Sequence, residues 1–423
     1  MARVEGEGAL ELEIRENRLQ ELKLRIFEPP RYFEKFLEGR SYREIPDTVA
    51  RICGICPVAY QMSAVGAIEG AFRVSLDDWV TPMRRVMYCG EWIQSHALHV
   101  HLLAAPDFLG YDSAISMAAD HPEAVRRGLR LQHLGNRLIR LFGARSVHPV
   151  GVCAGGFFRA PSMAEVEALL DDLRPAIKEA EALVAWAASL ALPEDHQAFT
   201  SVALRHSTDY PLESGDRIVS DAGLDIPLEA FEAHFEEYHV PHSTALYAHL
   251  HGSPYLVGPL ARLNLFHERL PAPVKEALGA TGIPVPSDNM FHSIVARAVE
   301  IHYAFVEAVR LLEAYQPPAQ PSRTPTPVAR EGVGASEAPR GLLWHRYRFN
   351  ERGEVTYARI VPPTSQNQAR IEEDLRQSLE GLGLHHEDDA LRLRGETVIR
   401  NYDPCISCST HFLRLAVRRD EPT

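Results

Sequence analysis

Two runs near the start of the chain, "ALELEIR" and "LQELKLRIF", alternate apolar and polar positions about the polar turn "ENR". A period of two with a turn between predicts a β-hairpin over residues 9–28, one face buried. The stretch "RYFEKFLEGR" reads as a short helix, and "RICGICPVAYQMSAVGAIEGAF" as a helix running to about Phe72, with Pro57 in its first turn. In "PMRRVMYCGEWIQSHALHVHLLAA" the residues Met83, Val86, Met87, Ile93, Ala97, Leu98 and His101 recur at helical spacing, which predicts a long buried helix. Further helices are expected from Pro122, from a capping box Ser162 to Glu165, and from His292 through "HSIVARAVEIHYAFVEAVRLLEAY". Residues 317–339 are rich in Pro and Ser and read as an irregular excursion inside one domain. After it, "GLLWHRYRF" and "EVTYARIV" about "NERG" predict a second hairpin, and further helices are expected after Ser365 and near Glu387.

The expected fold is therefore α+β and mainly helical, with long central helices and peripheral β-hairpins. The 423 residues are expected to form a single large domain. A formal charge of −13 with no Lys/Arg stripe argues against nucleic acid as a partner. No run of eighteen apolar residues suggests a membrane span, and the charged, alternating N-terminus is unlike a signal segment, so a cytoplasmic location is expected.

Six cysteines are too few for a disulfide scaffold in a chain of this length, and four of them form two Cys-x-x-Cys pairs, Cys53/Cys56 and Cys405/Cys408. The second pair lies in "DPCISCSTH", close to the C-terminus. If the fold brings the chain ends together, the pairs supply four thiolates to one centre. Soft sulfur ligands suit zinc, an iron-sulfur cluster or another thiophilic transition metal. Spacing alone leaves these open, together with independent thiols.

The flanking residues carry more. "RICGIC" (residues 51–56) and "DPCISCSTH" together resemble the paired signatures of the large, catalytic subunit of nickel-iron hydrogenases. "RVEGEG" (3–8), "PRYFE" (30–34), "QSHALH" (94–99), "EAPRG" (337–341) and "VPPTSQN" (361–367) are similar to further motifs of that family, in its order. The likeness extends over nearly the whole chain and implies the family's large-subunit fold.

The resemblance implies nickel held by Cys53, Cys56, Cys405 and Cys408. Cys53 and Cys405 would be terminal ligands, and Cys56 and Cys408 would bridge to an iron carrying carbon monoxide and cyanide. It implies Cys405 as the thiolate that accepts a proton from hydrogen, and Glu5 as the carboxylate that relays it. Arg340 would hang over the open side of the metals, with Asp403 as its partner or as a helix N-cap. Thr364 would donate to a cyanide, although a serine that some relatives carry one place earlier is here Pro363. Pro339, Ser95, His99 and Tyr60 would surround the metals, His96 and His99 as packed or hydrogen-bonded residues rather than ligands. Glu34 and His411 resemble ligands of a magnesium or iron ion near the C-terminus, and residues 412–423 resemble an extension removed by an endopeptidase after nickel insertion. Two positions depart from the usual pattern: Tyr60 stands where many relatives have histidine, and Ser95 where many have aspartate, which removes a possible partner of Arg340.

Electrons must leave such a site, yet only Cys89 and Cys153 remain, too few for a cubane cluster. A small subunit with iron-sulfur clusters is therefore an implied partner, as are maturation proteins for the diatomic ligands. No dinucleotide fingerprint and no phosphate-binding Gly-Lys-Ser/Thr loop occurs, so NAD(P) and FAD would sit on diaphorase or flavin subunits. The expected activity is reversible oxidation of H2, most like the NADP-linked, sulfhydrogenase-type branch. Branches linked to factor 420 or to heterodisulfide reductase come next. Two other classes share parts of the pattern: a regulatory hydrogen sensor, and a non-catalytic protein with a structural four-cysteine zinc.

Overall fold

The computed structural model describes residues 8–27, 32–405 and, as a backbone strand, 413–419. The expected hairpin is formed by β1 (Gly8–Arg15) and β2 (Arg18–Ile26), in a register that places Leu10 opposite Leu24 and Leu12 opposite Leu22. Leu10, Leu12, Ile14, Leu22, Leu24 and Ile26 are buried, so the period of two is the period of burial. Each fully buried aliphatic side chain of this kind contributes about 2 kcal/mol. On its other edge β1 pairs in parallel with Leu413–Arg419, Gly8 opposite Leu413.

Three long helices form the interior: α1 (Pro57–Phe72), α2 (Val80–Leu98) and α5 (Ser293–Glu313). Against them pack α3 (Pro122–Gly143) and α4 (Met163–Ala188), the latter opened by the expected capping box, in which Glu165 N–H donates to Ser162 Oγ at 3.3 Å and Ser162 N–H returns to Glu165 Oε2 at 2.8 Å. Helices α2 and α3 cross at Gly90 and Gly135. A Cβ on Gly135 would lie 2.6 Å from Gly90 O and Gln94 N, so only glycine lets the two backbones meet. The chain closes with α6 (Pro363–Leu382) and α7 (Asp388–Tyr402).

The structure corrects the expected pattern in two places. The helix after Val80 is not α-helical throughout: His99–Ala104 widens into a π turn, which tucks the His101 ring flat against Trp186 at 5.5 Å. The irregular excursion ends at Arg330. Glu331–Ala338 is a strand, β3, which pairs antiparallel with β4 (Gly341–Phe349), itself paired with β5 (Val355–Val361). Its glycines suggest a loop, but they serve contact with α1: a Cβ on Gly332 would lie 2.0 Å from Ala67 O, and one on Gly334 2.2 Å from Ser63 O.

Candidate metal centre

Cys53 and Cys56 lie in the loop between the short helix Ile45–Val49 and α1, and Cys56 is the residue that caps α1, ahead of Pro57. The N–H groups of Ile55 and Cys56 point at Cys53 Sγ, at 3.3 and 3.4 Å. From the far end of the chain, α7 stops at Tyr402, and Asp403 turns the backbone left-handed, with φ 49°, to deliver Cys405. Thr364, at the start of α6, accepts the Cys405 N–H at 3.1 Å. Residues 352 positions apart thus meet: Cys53 Sγ and Cys405 Sγ are 3.1 Å apart, and the sulfurs of Cys53, Cys56 and Cys405 all lie within 4.8 Å of one another.

Without a cation Cys56 and Cys405 resist ionisation. The hydrogen bond from Cys405 lowers the pKa of Cys56, but the Cys53 thiol and burial outweigh it, and the result is well above the usual thiol range. Cys405 is raised in the same way, its bond with Cys53 lowering and its contact with Cys56 and burial raising. Three like charges at this spacing need more positive charge than one guanidinium, so the donor set suits a soft transition-metal ion that binds thiolates.

That guanidinium is Arg340. Ala338 pairs with Gly341 across the β3–β4 hairpin, so Pro339 and Arg340 form its two-residue turn. Arg340 is buried; its Nε–H donates to Asp403 O at 2.6 Å, Nη2 sits 3.0 Å from Asp403 Oδ2, and Nη1 is 3.4 Å from Ser95 Oγ. Burial alone would lower its pKa, but Asp403 and the three cysteines raise it, so it remains charged. Asp403 therefore pairs with Arg340 as expected, yet it is the C-cap of α7 and not an N-cap. Ser95, whose substitution for aspartate was expected to remove a partner of Arg340, keeps a neutral contact at the long end of the hydrogen-bond range.

Behind the turn lies a network that the pattern of the chain does not signal. Arg262, fully buried in the helix Pro259–Phe266, binds Glu300 through Nε and Nη2 at 2.7 Å each and Glu337 Oε2 at 2.9 Å. It also donates to the carbonyls of Ala338 at 3.0 Å and Pro339 at 3.3 Å. Its guanidinium lies 4.4 Å from the Trp92 ring, whose Nε1–H donates to Glu337 O at 2.8 Å. In sequence Arg262 looks like any helix arginine. Only the fold puts the carbonyls preceding Arg340 within its reach.

The structure also gives places to the other expected residues. Pro339 contributes its carbonyl to Arg262. Tyr60 is buried against the His345 ring at 5.6 Å. His99 Nε2–H donates to Arg400 O at 2.6 Å and His96 Nε2–H to Glu300 at 3.0 Å, so both are hydrogen-bonded interior residues. Glu34, in the short helix Phe33–Leu37, accepts the Ile360 N–H at 2.7 Å. Glu5, Cys408 and His411 lie outside the described residues, as does most of "RVEGEG".

Comparison with known proteins places this geometry. The family described as nickel-dependent hydrogenase matches residues 31–128 and 247–411. Sulfhydrogenase 1 subunit alpha of Pyrococcus furiosus is 34% identical over 98% of this chain and 97% of its own length. NAD-reducing hydrogenase HoxS subunit beta of Cupriavidus necator is 30% identical over 98% of this chain and 94% of its own. A crystal structure of an NAD+-reducing [NiFe]-hydrogenase in the H2-reduced state superposes with a TM-score of 0.86 at 27% identity, covering 97% of this chain and 98% of the other.

Proposed function

The chain belongs to the nickel-dependent hydrogenase family, and from that premise we propose that it is the hydrogen-activating subunit of a cytoplasmic, bidirectional enzyme whose electrons pass through an iron-sulfur small subunit to NAD(P). As a large subunit of this family it is an enzyme with a nickel-iron centre and partner subunits. Among the described residues no helix is long and apolar enough to cross a membrane. The observation that carries the reading is the convergence of Cys53, Cys56 and Cys405 beside the buried Arg340–Asp403 pair.

In this proposal Cys53, Cys56, Cys405 and Cys408 would hold the nickel, and Cys56 and Cys408 would also hold an iron carrying carbon monoxide and cyanide. When bound, the metals supply the Lewis acidity that polarises H2. The residues of the chain then divide the remaining work. Cys405 Sγ would accept the protons released from H2 and Glu5 would carry them on, so that each H2 gives two protons to this relay and two electrons to the partner subunit. Arg340 keeps a fixed positive charge over the site, because its fork is held at Asp403 and it is not readily deprotonated. Thr364 already accepts from the Cys405 backbone through Oγ1, which leaves its O–H to donate to a cyanide. Glu34 and His411 would hold a magnesium or iron ion, and residues 412–423 would be the piece that an endopeptidase removes. The NAD(P) link rests on the sulfhydrogenase and NAD-reducing relatives, with NAD(P) and FAD on diaphorase subunits.

Infrared spectroscopy of the purified complex tests this. Bands in the metal-bound carbonyl and cyanide region, with nickel by elemental analysis, are expected; their absence together with stoichiometric zinc refutes it. Cys405→Ala should abolish hydrogen uptake while diaphorase activity on the partner subunits persists.

A further inference from the structure

The cap of α1 poses a chemical problem. The N-terminus of a helix needs acceptors for its first free N–H groups, usually a Ser, Thr, Asp or Asn side chain at the capping position. Here that position is Cys56, whose side chain makes no capping hydrogen bond and whose sulfur points into the thiol cluster. Pro57 has no N–H to satisfy.

The acceptor comes from another helix. Glu91 on α2 has no exposed surface, and its carboxylate takes the Val58 N–H on Oε2 at 2.6 Å and the Ala59 N–H on Oε1 at 2.9 Å. One turn along the same face, Gln94 Nε2 donates to Ile55 O at 2.6 Å, inside the Cys53–Cys56 loop. The loop is thus gripped on both sides of Cys56, by an acceptor on the helix N–H groups and a donor on the loop carbonyl. Between and beside these two residues, Trp92 bonds the carbonyl of Glu337 and Ser95 approaches Arg340. The same turn of α2 therefore touches the cysteine loop and the hairpin that carries the guanidinium.

We propose that Glu91 and Gln94 are positioning residues that hold the Cys53–Cys56 loop in its metal-binding shape before any metal arrives, and that residues 91–95 of α2 register this loop against Arg340. The proposal rests on reading Cys56 as a metal ligand: with its sulfur turned to the thiol cluster Cys56 does not cap its own helix, and the cap is supplied across the helix interface. The backbone is thereby ordered in advance, and metal binding need not order it.

The test compares the full chain, expressed without metal loading, with its Glu91→Gln and Gln94→Ala variants by amide hydrogen exchange. Glutamine at 91 can accept only one of the two N–H groups and presents a donor to the other. Exchange at residues 55–59 should accelerate about tenfold or more in both variants, while α3 and α4 keep wild-type rates. In the metal-loaded complex the carbonyl and cyanide bands of the Gln94→Ala variant should shift relative to wild type. Unchanged exchange at residues 55–59 overturns the proposal. So does acceleration spread evenly over all helices, or local acceleration with bands that do not move. Should the wild-type complex show no such bands, the nickel-iron reading fails, and the exchange result still reports whether the loop is preordered. If Glu91→Gln does not fold, Gln94→Ala, which removes a single donor and strands no charge, carries the test.

Discussion

Arg262 holds the carbonyls just ahead of Arg340 and so offers a test of the site that leaves its ligands in place. Replacing it with methionine keeps the volume of the stem but removes both bonds to Glu300, the bond to Glu337 and the two to the carbonyls of Ala338 and Pro339. All three charged side chains are at 0% exposure, so water cannot replace the lost partner. Burial raises the pKa of Glu300, yet Arg262 outweighs it and holds the carboxyl at about 2; the variant strands that charge. Breaking one side of a buried pair in this way costs about 3–5 kcal/mol. At an unfolding entropy of roughly 2.1 cal/mol/K per residue, a chain of this length should lose about 3–6 °C in Tm. The assay is differential scanning calorimetry on the metal-free full chain, with hydrogen uptake of the loaded complex alongside. Neutralising the stranded carboxylate in the double variant Arg262→Met, Glu300→Gln should recover at least about 1.5 kcal/mol. Arg262→Lys keeps the charge but lacks the fork, and should fall between wild type and methionine. A single variant that loses less than about 1 kcal/mol, or a double variant that recovers nothing, would refute the reasoning.

Three further outcomes rest on the same geometry. Gly334→Ala places a Cβ 2.2 Å from Ser63 O and 2.6 Å from Ala67 N, both backbone atoms; it should cost more than about 2 kcal/mol, and an unchanged Tm would show that β3 does not lie on α1 as described. Thr364→Val removes the acceptor for the Cys405 N–H and should cost about 1–2 kcal/mol, with faster nickel loss to a chelator, measured by elemental analysis over time. His96 is lowered by burial to about 4, against an upward pull from Glu300. Between pH 6.5 and about 4 the unfolded chain therefore binds a proton that the folded one refuses. The His96 contribution is complete above about pH 6.5 and falls by up to about 3 kcal/mol as the pH drops to about 4. In denaturant titrations across that range, His96→Gln should flatten the slope, and an unaltered slope would place the titration elsewhere.

How far the site can be read from the chain differs from residue to residue. The Leu10 to Ile26 alternation, the Ser162–Glu165 box and Pro57 at the head of α1 are local signals, and each appears in the structure as the sequence suggests. The turn that carries Arg340 is not among them, since residues 317–339 read as an irregular excursion and only the strand Glu331–Ala338 makes Pro339 and Arg340 a hairpin turn. Elsewhere local chemistry misleads. Gly332 and Gly334 resemble loop residues because glycine marks both turns and close backbone contacts, and nothing nearby in sequence tells which. Asp403 resembles an N-cap, an aspartate just ahead of a proline, and instead ends α7 in a left-handed turn.

What the sequence by itself determined is the set of elements and the chemistry on offer: two hairpins, long apolar helices, and two cysteine pairs flanked by motifs specific enough to suggest a family. These depend on periods of two to four residues and on residue type, which a linear string preserves. Only the tertiary structure decided that Cys53 and Cys405 meet at 3.1 Å, that Arg262 holds the carbonyls before Arg340, and that Glu91 caps a helix it does not belong to. Each of those contacts joins residues far apart along the chain, and each relies on buried polar groups finding partners wherever the packing of α1, α2 and α5 places them. The chain lists the donors and acceptors, and the packing chooses the pairs.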